Sequence, residues 1–294
     1  MMRPFSLRWV VFFAMVVLLL SACSSGADDA SDTTLASSDT AVETTTTAPS
    51  TTTEEPSPVV VLVHGSFHTP ETTWTELTPV LDERGIEWAV VDLPSAGPDA
   101  VDGVTVPGLD EDVAATSAVI DQIGGPVVLV GHSYGGFVIS EAGGDPRVQH
   151  LIYLCAFAPQ PGETLMQLSA SEPPTLLAAA LRVEGDVMSV APELAIGALY
   201  ADVDEDLAAA AVTQLVPSTL STLEQPAEES AWTTVPSSYI ICANDHALEP
   251  ARQREMADRV GTQTSMLETS HSPFLSQPEA VANIIETALQ QSSN

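Results

Sequence analysis

Val127-Val128-Leu129-Val130-Gly131-His132-Ser133-Tyr134-Gly135-Gly136 decides the fold of this chain. Four apolar residues, three of them β-branched, read as a short buried strand. The Gly-x-Ser-x-Gly that follows, with Phe137-Val138-Ile139 behind it, reads as a sharp turn opening a helix. Such a turn holds its serine in a strained backbone conformation, and a side chain at either flanking glycine would collide with it. The five-residue pattern alone is weak, because short patterns recur by chance. The strand before it and the helix after it are the context that the pattern requires.

Outward from this turn, short apolar runs alternate with longer helical patterns, the signature of a parallel sheet covered on both faces. Strands are expected over residues 59–63, 88–93, 127–130, 148–154, 239–242 and, more weakly, 265–267. Helices are expected over 74–83, 110–123, 134–141, 251–260 and 279–289. Residues 160–232 break the alternation. They are rich in Ala and Leu, interrupted by Pro and without a clear strand, and they read as a helical cap inserted into the α/β domain of residues 58–294.

A serine nucleophile needs a base, and the base needs an orienting acid. Asn244-Asp245-His246 follows the fifth apolar run, and Ser270-His271-Ser272-Pro273 follows the last. Both lie on loops at strand C-termini, where an α/β sheet gathers its functional groups. The expected set is therefore Ser133 as nucleophile, His271 as general base and Asp245 as the acid. Glu163 is the reserve acid. Ser66, in the loop after the first strand, and Tyr134 are expected to offer backbone N–H groups to a developing oxyanion. Gly65 lets that backbone approach the substrate. His64, His68 and His132 read as structural, and His/Cys spacing suggests no metal site.

With these residues in place, the chain resembles the α/β-hydrolase superfamily, and within it the plant methylesterase and hydroxynitrile lyase group with its bacterial serine esterase relatives. The resemblance spans roughly residues 59–289. Its more specific segments are His64-Gly65-Ser66-Phe67-His68, Val91-Asp92-Leu93-Pro94-Ser95-Ala96-Gly97, Tyr153-Leu154-Cys155-Ala156-Phe157-Ala158-Pro159, Leu215-Val216-Pro217-Ser218 and Tyr239-Ile240-Ile241-Cys242. It implies the α/β-hydrolase fold, places Ser133, Asp245 and His271 on the family's triad, and places Ser66 and Tyr134 on its oxyanion donors. Lyases of the group carry a threonine where this chain has Gly65 and a lysine where it has Ser272. Hydrolysis is therefore favoured over lyase chemistry.

The N-terminus has Arg3 and Arg8 ahead of an apolar run ending at Leu20-Ser21-Ala22-Cys23. That run is shorter than the roughly 18 residues of a spanning helix and fits a secretory signal. The four residues resemble a bacterial lipoprotein signal. Residues 1–22 are thus expected to be removed, leaving Cys23 lipidated and the protein extracytoplasmic, anchored to the cell membrane. Residues 23–57, rich in Thr, Ser, Asp, Glu and Pro, hold too little apolar surface to fold and read as a tether.

The formal charge is −32, with 40 Asp and Glu against 8 Lys and Arg, and removal of the leader makes the chain more acidic by two charges. Such a surface repels nucleic acid and anionic lipid. Membrane contact is expected only through the lipid. Cys155 and Cys242 lie in apolar runs and read as buried free thiols, because neighbouring parallel strands rarely offer disulfide geometry.

The expected activity is hydrolysis of a small apolar ester through an acyl-enzyme, without a cofactor. The alternatives are a surface lipoprotein that binds a ligand without turning it over, and cofactor-free lyase or peroxidase chemistry on the same three residues.

Overall fold

Val59–Val63 (β1) pairs in parallel with Trp88–Val91 (β2) on one side and with Val127–His132 (β3) on the other. Val148–Leu154 (β4), Ser237–Cys242 (β8) and Gln263–Leu267 (β9) extend the same sheet, in the order β2-β1-β3-β4-β8-β9. The computed structural model describes residues 57–97, 100, 106–170, 173–261 and 263–292. The signal segment, Cys23 and nearly all of the tether lie outside the described residues.

Every strand pair in this sheet is parallel, so both faces must be covered and the inner strands are mostly apolar. The two-residue period then decides which side chain meets which helix layer. Val61, Val63 and Leu129 pack against one layer, formed by Leu109–Ile123 (α3), Gly135–Ala142 (α4) and Pro250–Val260 (α10). Val60, Leu62, Val128 and Val130 pack against the other, formed by Leu77–Glu83 (α2), Pro273–Ser276 (α11) and Pro278–Ser292 (α12). Strand order reverses between β1 and β3, because β2 lies on one side of that pair and β4 on the other. The crevice above this switch point is where an open α/β sheet binds its ligand.

Three expectations change. Of the helix expected over 74–83 only α2 forms; a separate short helix, Pro70–Thr73 (α1), precedes it, and Trp74 is buried between them. The insertion between β4 and β8 is not purely helical. Besides Leu165–Ser169 (α5), Leu176–Ala180 (α6), Pro192–Leu199 (α7), Glu205–Thr213 (α8) and Ser221–Glu224 (α9), it contains an antiparallel sheet of Leu181–Glu184 (β5), Val187–Val190 (β6) and Ser218–Thr219 (β7). The β5–β6 hairpin turns through Gly185, at φ 62°, and Asp186, a two-residue loop that favours this twist.

The third change is at the cysteines. Cys155 and Cys242 form a disulfide, with Cα atoms 5.5 Å apart, and are not free thiols. The argument from regular parallel strands fails because Cys155 lies one residue past β4, in the left-handed region at φ 46°. Its side chain leaves the pleat and reaches across to the end of β8. The two sulfurs and the carboxylate of Asp245 lie within 4.8 Å of one another.

Candidate active site

Ser133 follows β3 and precedes α4, at φ 53°. A residue other than glycine is rarely held in this left-handed region, and the surroundings fix it: its N–H donates to the Leu154 carbonyl at 3.3 Å, and its own carbonyl accepts from Phe157 N–H at 3.1 Å. A Cβ on Gly131 would come within 2.5 Å of the Gly135 carbonyl oxygen, so the turn closes only without one.

The loop after β1 comes equally close. A Cβ on Gly65 would lie 2.9 Å from Cβ of Ser133 and 3.1 Å from Nδ1 of His132. Glycine is therefore required for the Ser66 backbone to lie beside the serine. Among the described residues, neither the N–H of Ser66 nor that of Tyr134 donates to a protein acceptor. Both residues line a cavity of about 100 Å³ together with Ser133 and His271.

Asp245 and His271 arrive on the loops after β8 and β9, and both are buried. His271 Nδ1 lies 2.7 Å from Asp245 Oδ2. The same oxygen accepts from Gln253 Nε2 at 2.7 Å, and Oδ1 accepts from the N–H groups of Ala247 and Leu248 at 2.7 and 3.0 Å. Four donors thus hold this buried carboxylate, which is how a buried charge is tolerated. They fix the imidazole with Nδ1 protonated, leaving Nε2 as the basic nitrogen.

Gln253 escaped the reading from sequence. It sits on the buried face of α10 with Met256, Ala257 and Val260. Its amide donates to Asp245 and to the Leu248 carbonyl, and its Oε1 accepts the Cys242 N–H at 2.8 Å. A glutamine in the apolar stripe of a helix was the available signal. Glu163, the reserve acid, pairs instead with Arg259 and accepts the Gln160 N–H, away from His271.

Three further histidines, His64, His68 and His132, brace the site. His132 Nε2–H donates to the His271 carbonyl at 2.8 Å. His68 Nδ1–H donates to the Ser66 carbonyl at 2.7 Å, so its Nε2 accepts from the Tyr200 hydroxyl at 2.8 Å. His64 Nδ1–H donates to the Gly65 carbonyl at 2.9 Å. Burial lowers the pKa of His64 and of His68 to about 4 and carries His132 well below its ordinary value, so all three are neutral at pH 7. Tyr134 is held by its ring: its hydroxyl donates to Asp112 Oδ2 at 2.7 Å.

The cavity wall is apolar, with Phe157, Leu165, Leu177, Leu181, Met188 and Leu199 contributing. Most of these belong to the cap. The cavity thus gathers a serine hydroxyl, a histidine oriented by a carboxylate and, among the described residues, two N–H groups without a protein acceptor under an apolar roof.

Residues 60–284 match the alpha/beta hydrolase family, and the chain belongs to that family. It is a hydrolase-class protein by fold and kin. It is 31% identical over 247 residues to "Alpha/beta hydrolase nvfD" of Aspergillus novofumigatus, covering 79% of this chain and 96% of that one. It is 27% identical over 248 residues to "Methylesterase 1" of Arabidopsis thaliana, covering 76% and 92%. A pyrethroid hydrolase from Sphingobium faniae JZ-2 superposes with a TM-score of 0.68 at 22% identity, covering 79% of this chain and 97% of that one, which shows the shared fold.

Proposed function

We propose that the protein is a serine carboxylesterase acting on small, mostly apolar esters through an acyl-enzyme. The observation that carries this reading is the meeting of Ser133, the Asp245-oriented imidazole of His271 and the N–H groups of Ser66 and Tyr134 at one apolar cavity. Ser133 Oγ attacks the ester carbonyl while His271 Nε2 takes its proton, and the two N–H groups receive the oxyanion. The tetrahedral intermediate collapses, His271 returns the proton to the leaving alcohol, and the acyl group stays on Ser133. Water, deprotonated by the same nitrogen, then attacks the acyl carbonyl, and the acid product leaves with Ser133 restored.

The similarity to a methylesterase supports an ester substrate with a small alcohol. Gly65 supports hydrolysis over lyase chemistry, because a glycine leaves the oxyanion hole open for an ester carbonyl where the lyases carry a threonine. We also propose an extracytoplasmic, lipid-anchored location through Cys23, on the signal pattern alone.

A panel of p-nitrophenyl and methyl esters tests the activity, and a fluorophosphonate probe tests the nucleophile. Turnover and labelling, both lost in Ser133→Ala, are expected. A protein that binds such ligands, turns none over and resists labelling would be a binding lipoprotein instead.

A further inference from the structure

The loop carrying Ser66 is held chiefly from the cap. Phe67, next in the chain, is a non-glycine residue at φ 68°, a conformation that persists only where the surroundings impose it. Its N–H donates to Ser218 Oγ at 2.8 Å, and its carbonyl accepts the Val216 N–H at 3.0 Å. The Ser66 carbonyl accepts from His68, whose far nitrogen is held by the Tyr200 hydroxyl. Ser218, Val216 and Tyr200 all belong to the insertion between β4 and β8, 151 residues from Phe67 in the case of Ser218. Ser218 and Phe67 are buried.

The polar groups that follow the Ser66 N–H along the chain are thus engaged within the protein. The Ser66 N–H remains for the substrate. The same cap segment also accepts from the next loop, where Gly97 N–H donates to the Pro217 carbonyl at 2.9 Å. The sequence segment Leu215-Val216-Pro217-Ser218 therefore has a role that neither the triad nor the pocket wall accounts for.

We propose that Ser218, seconded by Tyr200, is a positioning residue of the oxyanion hole, so that docking of the cap assembles the hole as well as roofing the substrate. This rests on the serine-esterase reading. A donor set by a cap contact acts on charge that develops only in the transition state. Loss of the contact should therefore lower kcat and leave ground-state binding in place.

Ser218→Ala is expected to reduce kcat by about 10- to 100-fold, less than the ~10²- to 10³-fold for outright removal of a donor, with KM changed by no more than about threefold. An alkyl trifluoromethyl ketone, which forms a tetrahedral adduct on the serine, should lose affinity by the same factor as kcat/KM. An alkyl ether of the same shape, which forms none, should bind as before. Ser218→Thr, which keeps the hydroxyl, should recover most of kcat. Tyr200→Phe reaches the same loop through His68, and should shift the ketone and not the ether if Ser218→Ala proves unfolded by near-UV circular dichroism. Full kcat in folded Ser218→Ala, or equal losses for ketone and ether, would overturn the positioning role. Absence of ester turnover and of fluorophosphonate labelling in the wild-type protein would instead overturn the esterase reading beneath it.

Discussion

Nδ1 of His271 lies 2.7 Å from Oδ2 of Asp245, although the two residues reach this contact from loops after different strands. The strands themselves are neighbours, with Cys242 of β8 opposite Leu267 of β9, so the parallel register brings the two loop starts to one edge of the sheet. Asp245 then spends its other lone pairs on two backbone N–H groups and Gln253. The carboxylate cannot rotate without breaking four bonds. Its direction fixes the histidine tautomer.

Asp245→Asn keeps the volume but offers an amide where His271 needs an acceptor. Turnover is expected to fall by about 10⁴-fold with the fold intact. Ser133→Ala should cost at least as much, and the double variant should add little, because the three act as a unit. Glu163→Gln should be mild, since Glu163 serves Arg259. Steady-state kinetics on one ester decide between them, and a crippled Glu163→Gln beside an active Asp245→Asn would place the acid elsewhere.

Gln253→Leu removes the donor to Asp245 and strands the Cys242 N–H and the Leu248 carbonyl in a buried site. Unpaired buried groups of this kind cost about 1–3 kcal/mol each. The melting temperature should fall by roughly 5–10 °C, while kcat falls less than in Asp245→Asn. Thermal unfolding and kinetics on the same preparation check both; a variant with wild-type stability would mean that Gln253 is not integral to this network.

Gly65→Ala places a Cβ 2.9 Å from Cβ of Ser133. Both Cβ atoms are fixed to their backbones, so the overlap is relieved only if the Gly65 loop or the serine turn shifts. A displacement of about 1 Å at the nucleophile is enough for a ~10²-fold loss. Activity in Gly65→Ala and in Gly65→Thr should fall at least this far, with Tm lowered by a few degrees. Ester assays and a melting curve test it, and a fully active Gly65→Thr would refute the close approach.

Much of this was legible in the sequence, and the rest was hidden for identifiable reasons. The limits of β1 follow from an unbroken apolar run, those of β4 from an apolar run interrupted only by Gln149 and His150, and the serine turn from its glycines. Asp245 and His271 could be paired because each follows a strand. The β5–β6 hairpin was missed although Gly185-Asp186 is a hairpin signal, since the flanking residues of β5 are mostly exposed and carry no clean alternation. The disulfide was missed because the left-handed turn at Cys155 is invisible in a run that otherwise reads as strand. The clamp on Phe67 joins residues 151 positions apart and has no local pattern at all.

The disulfide closes a loop of 87 residues that contains the entire cap. Constraining such a loop stabilises by about 2–4 kcal/mol. Cys155→Ala with Cys242→Ala should therefore melt several degrees lower. Under denaturing conditions without reductant, neither Cys155 nor Cys242 should react with a thiol reagent. Two reactive thiols at these positions would show that the bond is not formed in the isolated protein.

Stability should fall in acid between about pH 6.5 and 4, and the buried carboxylate of Asp112 should oppose the fall. His64 and His68 are lowered to about 4 by burial, and His132 lies well below its ordinary value. The unfolded chain binds their protons near pH 6.5, so the stability they confer is complete above that pH and is lost as pH drops toward 4. Asp112 runs the other way. Burial raises it to about 6, although the Ser95 N–H and the Tyr134 hydroxyl both donate to it. Its contribution is complete below about pH 4 and is lost as pH rises through 6. A two-unit shift corresponds to about 3 kcal/mol; His150 is likewise lowered to about 4 by burial, so four histidines outweigh Asp112 and the net slope follows the histidines. Asp112→Asn keeps an acceptor for Ser95 and, through its amide, a donor for the Tyr134 hydroxyl, but carries no charge. The variant should be more stable than wild type at pH 8 and should lose stability more steeply between pH 6 and 4. Melting temperatures measured from pH 4 to 8 decide it. Two parallel curves, with the variant lower throughout, would mean that Asp112 is held as a favourable anion and that its burial is offset by the two donors.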